Sequence, residues 1–173
     1  MKTKAVALGL AGAVCLQLVV LAGEYLSAQL PLWTGKEVRI KTLPVDPRSM
    51  FRGNYALLNY DISLIDAGDL PGSEDLRNGE VVFVKLRADE NGDYIYAGAS
   101  LQRPAEGVFL RGRLANRRYH DRRHKLRIKY GIEAYFAPRE KAQAMEKVLR
   151  RQAVSVLMVA DNGRAALKAV VVE

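Results

Sequence analysis

VVFVKLRADENGDYIYAGASL, Val81 to Leu101, sets two runs rich in β-branched and aromatic residues on either side of the turn-forming DENGD. That composition predicts two antiparallel strands joined by a tight loop. The same period-2 pattern recurs on both sides of it. Upstream, KEVRIKTLPVDP alternates Val38 and Ile40 with Glu37, Arg39 and Lys41, and Pro44 and Pro47 close the strand. NYALLNYDISLI is expected to form one continuous strand. Its core face is Ala56, Leu58, Tyr60, Ile62 and Leu64, and its other face Tyr55, Leu57, Asn59, Asp61 and Ser63.

Downstream, GVFLRGRLA and HKLRIKYGIEAYF form a second predicted pair, joined by NRRYHDRR. In its second member Leu126, Ile128, Tyr130, Ile132, Ala134 and Phe136 share a core face, opposite Lys125, Arg127, Lys129, Glu133 and Tyr135. PREKAQAMEKVLRR, residues 138–151, has Pro in its first turn and Ala142, Met145, Val148 and Leu149 at helical spacing, which predicts a helix. Two apolar runs around DNGR then predict a buried C-terminal hairpin, with Asn162-Gly163 read as a type I′ turn. The sum is an α+β, mostly antiparallel β domain of about eight strands and one soluble helix.

The N-terminus is of another kind. Ala5 to Gly23 is nineteen residues without a charge, and as a helix it spans about 28 Å, close to the hydrocarbon thickness of a bilayer. Lys2 and Lys4 precede it and Glu24 follows, so the charge bias puts the N-terminus in the cytoplasm. A cleaved signal peptide is the alternative. The run is longer than a usual signal core, and Leu stands where a small residue is needed three positions before either candidate cut. The chain therefore divides into a cytoplasmic stub and anchor (1–24), a juxtamembrane linker (25–36) and an extracytoplasmic domain (37–173), with Pro31 expected to end any helix. Inner-membrane placement with a periplasmic domain follows.

Cys15 lies inside the apolar run and is the single cysteine, so the domain holds no disulfide. The formal charge of +8 is concentrated. Arg103 to Lys129 contains ten Lys or Arg against Glu106 and Asp121, leaving the rest of the chain neutral overall. Arg111 and Arg113 on one strand, Lys125, Arg127 and Lys129 on its partner, and Arg117, Arg118, Arg122 and Arg123 at the tip could form one cationic ribbon. It would suit anionic lipid or an envelope polymer, or serve only to keep a strand edge soluble. Nucleic acid is disfavoured by compartment and by the scarcity of exposed aromatics there.

Other candidates are thinner. His120 and His124 have half of a zinc spacing with nothing to complete it, so no metal and no cofactor is expected. Glu133 beside Lys129 is expected to form an ion pair. A Ser49/Lys85 dyad of the membrane signal-peptidase kind can be drawn, but that family's residues after Ser-Met and after its lysine are missing here.

VDPRSMFRGNYALLNY closely resembles the motif of the GDYXXLXY family, membrane-anchored bacterial proteins without an assigned biochemical function. The match falls on Gly53, Tyr55, Leu58 and Tyr60, preceded by Asp46-Pro47-Arg48 and Arg52, and YGIEAYFAPRE (Tyr130 to Glu140) looks like a second shared block. Asn54 stands where the family has aspartate, which keeps a turn former and removes a carboxylate. The resemblance implies association with a polytopic membrane protein. The expected function is thus a membrane-anchored binding or accessory module, with Arg48, Arg52, Asn54, Tyr55, Glu133 and Tyr135 lining its contact surface. The alternatives are an envelope hydrolase and a sensor acting through the basic ribbon.

Overall fold

Val82, Val84 and Leu86 alternate with Phe83, Lys85 and Arg87, so one side of the strand is apolar. In the computed structural model of the chain that side is buried while Lys85 and Arg87 are exposed. The structure describes residues 2–43, 55–73, 75–115, 125–136 and 153–172. The expected helix over 138–151 and the tip of the basic ribbon lie outside these residues.

The central hairpin consists of β5 (Val81–Ala88) and β6 (Tyr94–Ser100). β7 (Val108–Leu114) lies against the other edge of β5, and β8 (Lys125–Lys129) and β4 (Leu64–Asp66) extend the sheet to the order β4-β8-β7-β5-β6. A second sheet has the order β11-β10-β1-β3. It contains β1 (Lys36–Leu43), β3 (Asn59–Tyr60), β10 (Ala153–Val159) and β11 (Ala165–Val172). The remaining ribbon pairs β2 (Tyr55–Leu57) with β9 (Ala134–Phe136). Every pairing is antiparallel. Val38, Ile40 and Leu157 from one large sheet and Val82, Val84 and Leu110 from the other belong to one core cluster. Arg39 Nε also donates to Asp93 Oδ1 at 2.9 Å, tying β1 to the β5–β6 loop.

The β5–β6 and β10–β11 loops are each three residues long, closed by Asp89 N–H to Asp93 O and Ala160 N–H to Arg164 O. In each, the Gly N–H returns to the carbonyl three residues earlier, Gly92 to Asp89 and Gly163 to Ala160, and Gly92 and Gly163 have φ of 81° and 79°. This is a turn closed by a left-handed glycine. Asn162-Gly163 is therefore not the two-residue type I′ loop expected; Asp161 joins it, and Ala160 N–H bonds Arg164 O at 2.9 Å to close the longer loop.

The predicted strand over 54–65 is broken. β2 and β3 are followed by a 3-10 turn at Asp61–Ser63 before β4. Leu58, Tyr60 and Ile62 are buried as expected, but beyond the turn Ile65 is 2% exposed and Leu64 44%. A 3-10 turn repeats every three residues, so the step from Ile62 to Ile65 keeps apolar side chains inward through the corner. Gly131, with φ 85°, likewise separates β8 from β9, while Tyr130 and Ile132 on either side of it both stay in the core.

The N-terminal helix α1 runs unbroken over Lys2–Thr34, through Pro31. The segment read as a linker is thus helical to Thr34. Pro31 lies in the last turn, where a missing N–H costs one hydrogen bond and no helix continues to be kinked. Its own carbonyl accepts Gly35 N–H at 2.9 Å. Val6–Thr34 is long and apolar enough to cross a membrane, and none of its most apolar window is buried against the domain. Among the described residues, the helix meets the domain at its C-terminal end. There a Cβ on Gly35 would come within 2.3 Å of Pro31 O and 2.9 Å of Val159 N, so a side chain is excluded at the junction.

Candidate functional site

The two sequence blocks singled out above are far apart in the chain and adjacent in the fold. β2 and β9 pair with Tyr55 opposite Phe136, Ala56 opposite Tyr135 and Leu57 opposite Ala134. The pairing continues one residue on, where Leu58 N–H donates to Glu133 O at 2.7 Å. A buried tyrosine must find a partner for its hydroxyl, and here two tyrosines do so reciprocally. Tyr60 OH donates to Ile132 O at 2.7 Å, and Tyr130 OH donates to Ile62 O at 2.6 Å. Residues 60–62 and 130–132 are thereby clasped twice.

Glu133 completes this seam. Its Oε1 accepts Tyr130 N–H at 2.5 Å and its Oε2 accepts Gly131 N–H at 2.9 Å. The expected ion pair with Lys129 is replaced by a carboxylate gripping the two amides that the bend at Gly131 turns out of the strand ladder. Burial raises the pKa of both Tyr60 and Tyr130 above the ordinary 10, and the nearby Glu133 adds to the shift in each, while a Ser155 bond to Tyr60 only partly offsets it. Both phenols are protonated at neutral pH and cannot act as bases. Among the described residues, no three His, Cys, Asp or Glu side chains gather as metal ligands.

Of the other predicted contact residues, Arg48, Ser49, Arg52 and Asn54 lie outside the described residues, as do His120, His124, Arg117, Arg118, Arg122 and Arg123. Tyr55 and Tyr135 are placed by register alone, at neighbouring positions of the β2–β9 ribbon. Lys85 stands exposed on the outer side of β5, without the desolvating surroundings that activate a lysine base.

The described part of the basic ribbon is less free than its charge suggests. Arg113 Nη1 donates to Gly79 O at 2.8 Å, Arg127 Nη2 to Asn59 Oδ1 at 3.2 Å, and Lys125 sits opposite Asp66 in the β4–β8 register. Arg113 and Lys129 are cross-strand neighbours, an arrangement of like charges that costs rather than stabilises. Arg111 differs. Its N–H donates to Gly163 O at 2.7 Å, which brings β7 against the C-terminal hairpin loop and sets Arg111 beside Arg164. The loop is held further by Arg103, which lies over the Phe109 ring and donates to Asp161 O at 2.9 Å.

Arg111 and Arg164 face an open groove of about 600 Å³ between the end of α1 and the domain. Ser27, Ala28 and Pro31 form its helix wall, and Tyr130 to Ile132 and Ala165 to Leu167 its domain wall. Among the described residues neither guanidinium has a hydrogen-bond or ion-pair partner. Arg164 was not among the residues that the sequence singled out, because it stands alone in a turn of the C-terminal hairpin. The tyrosine clasp had a usable signal: Tyr60 and Tyr130 each fall on a predicted core face, where a hydroxyl requires an acceptor.

A family model described as GDYXXLXY protein matches residues 17–170. No curated protein and no solved structure matches the chain.

Proposed function

The chain belongs to the GDYXXLXY family, and from that premise we propose that it is a single-pass membrane protein whose extracytoplasmic β domain is a non-enzymatic accessory or binding module for an integral membrane partner. The observation that carries this is the helix. It is continuous from Lys2 to Thr34, enters the domain through the crowded Gly35 junction, and leaves side chains such as Leu8, Leu10, Leu16 and Val19 more than half exposed. An apolar surface of that size demands lipid or protein around it.

The flanking charges favour a cytoplasmic N-terminus in the inner membrane, with the domain on the other side. Gly9 and Ala13, four apart, would let another helix approach closely. The family blocks support an architectural use. Leu58, Tyr60, Tyr130 and Glu133 are occupied in closing the seam, so what these blocks offer a partner is a rigid ribbon edge at Tyr55–Leu57 and Ala134–Phe136 rather than a reactive group.

The test is photocrosslinking in intact membranes, with the crosslinker placed at Leu16 in α1 and separately at Tyr135 in β9. Both positions are expected to capture one and the same integral membrane protein, and Gly9→Leu to weaken the capture at Leu16. Crosslinks to lipid alone at both positions would refute the accessory role. Orientation is read with a membrane-impermeant maleimide: Lys168→Cys should label in intact spheroplasts and Lys4→Cys should not, with the native Cys15 shielded in the span.

A further inference from the structure

Arg111 reaches the groove from β7 in one sheet and Arg164 from the β10–β11 turn of the other, and their position along α1 gives them a ligand. The apolar run ends at Gly23. Ser27 and Ala28, on the groove's helix wall, are four and five residues beyond it, and at 1.5 Å per residue this is about 6–8 Å. The headgroup layer on each side of a bilayer is about 5–8 Å thick, so the groove opens at the level of the lipid phosphates. Tyr25 and Trp33 flank this stretch of helix with 64% and 63% of their surface exposed. Tyr25, about 3 Å beyond the apolar run, is an amphipathic aromatic at interfacial depth, and Trp33, about 15 Å beyond it, stands on the aqueous side of that layer.

We propose that this groove is a headgroup site for an anionic phospholipid, with the Arg111 and Arg164 guanidiniums holding the phosphate. Guanidinium donors match phosphate oxygens in geometry as well as charge. The two arginines are placed by backbone rather than by chance. The Arg111 N–H···Gly163 O bond fixes one strand against the loop that carries the other residue, and Gly163 is pressed on Phe109 so closely that a Cβ would meet the ring at 2.7 Å. The apolar floor, Ile132 and Ala165 to Leu167, suits the glycerol backbone and upper acyl chain beneath a headgroup. The consequence is a domain held at a set tilt on the membrane surface, with the ribbon edge of β2 and β9 presented in a defined direction. The inference goes beyond the accessory reading and shares with it only the membrane-crossing helix.

The experiment uses the full chain reconstituted in phosphatidylcholine nanodiscs, alone or doped with phosphatidylglycerol, and native mass spectrometry of the lipid retained after detergent release. Flotation in pure phosphatidylcholine vesicles tests the helix separately from the groove. Phosphatidylglycerol should be retained over phosphatidylcholine, and R111Q/R164Q should reduce that preference about thirtyfold, each cation near an anionic surface contributing roughly a factor of five. R164Q alone, a change in an exposed turn that spares the β7 backbone, should lose about fivefold. R111K/R164K should retain most of the preference, and Lys85→Gln or Lys129→Gln on the same sheet should retain all of it. Equal retention of the two lipids, or a preference unchanged in R164Q and in the double variant, overturns the proposal. So does inorganic phosphate displacing phosphatidylglycerol at equal concentration, which would assign the groove to a soluble phosphate.

Discussion

Replacing Tyr60 and Tyr130 by phenylalanine, singly and together, removes two hydroxyls and leaves the ring packing in place. Each hydroxyl donates to a carbonyl of the opposing segment, Ile132 O or Ile62 O, at 2.7 and 2.6 Å. Both acceptor residues are buried, Ile62 at 1% and Ile132 at 4% exposed, so water does not readily replace the lost donor. A net hydrogen bond contributes about 1 kcal/mol, and an acceptor left buried and unpaired costs about 1–3 kcal/mol. Each single variant should therefore lose about 1–2 kcal/mol. For a chain of this size that lowers Tm by roughly 2–8 °C.

The two bonds clasp the same pair of segments, so breaking one loosens the geometry of the other. The double variant should lose less than the sum, with a coupling of about 0.5–1 kcal/mol. Tyr60→Ala, which also opens a cavity, should cost about 3–5 kcal/mol. The assay is urea unfolding of the full chain in detergent, followed by near-ultraviolet circular dichroism and by tryptic cleavage. Single losses below about 0.3 kcal/mol with strict additivity would refute the clasp, because hydroxyls facing water behave that way.

Because burial raises the Tyr60 and Tyr130 pKa above 10 in the folded state, their contribution to stability is complete below the ordinary tyrosine range and is lost as pH climbs through and above it. Tyrosinate absorbance should then show a late step that coincides with unfolding, and smooth titration of every tyrosine near 10 with the fold intact would contradict the burial. Gly92→Ala and Gly163→Ala force alanine into the same left-handed conformation, but only Gly163 has a ring against it, while Gly92 has nothing within 4 Å. The first should cost about 1 kcal/mol and the second about 2–4 kcal/mol, and equal costs in thermal melts would remove the Phe109 contact from the account. Glu133→Gln keeps one acceptor oxygen for the Tyr130 and Gly131 amides whereas Glu133→Ala keeps none, so losses of about 1 and about 3 kcal/mol are expected; the reverse order in denaturant midpoints would show that the amides do not depend on this side chain.

Much of the strand content was legible because a half-buried strand writes its two faces into alternate residues. Val38 and Ile40, Val82, Val84 and Leu86, and Ile128 and Tyr130 are buried as their alternation requires. The reading failed where apolar residues stand side by side. Leu64 and Ile65 are equally suited to a core, and a 3-10 turn chose Ile65. It failed again at Pro31, where a helix breaker in a final turn breaks nothing. Glu133 has its partners close by in the chain, but they are the backbone amides of Tyr130 and Gly131 that the glycine bend exposes and not the Lys129 side chain that alternation suggests.

What the sequence determined by itself is what short-range chemistry decides: an apolar helix long enough for a bilayer, β strands with assigned faces, turns at DENGD and DNGR, and a basic segment in a chain with a single cysteine. Only the tertiary structure decided that the two family blocks form one seam, that Tyr60 and Tyr130 clasp across it, and that Arg111 and Arg164 line one groove at the foot of the helix. Those outcomes depend on contacts between residues about 50 to 80 apart, such as Arg111 with Gly163, Tyr60 with Ile132 and Tyr55 with Phe136. Such contacts form when buried donors and acceptors must pair and close-packed faces admit one register, and the spacing of residues along the chain carries no record of which distant acceptor will be reached.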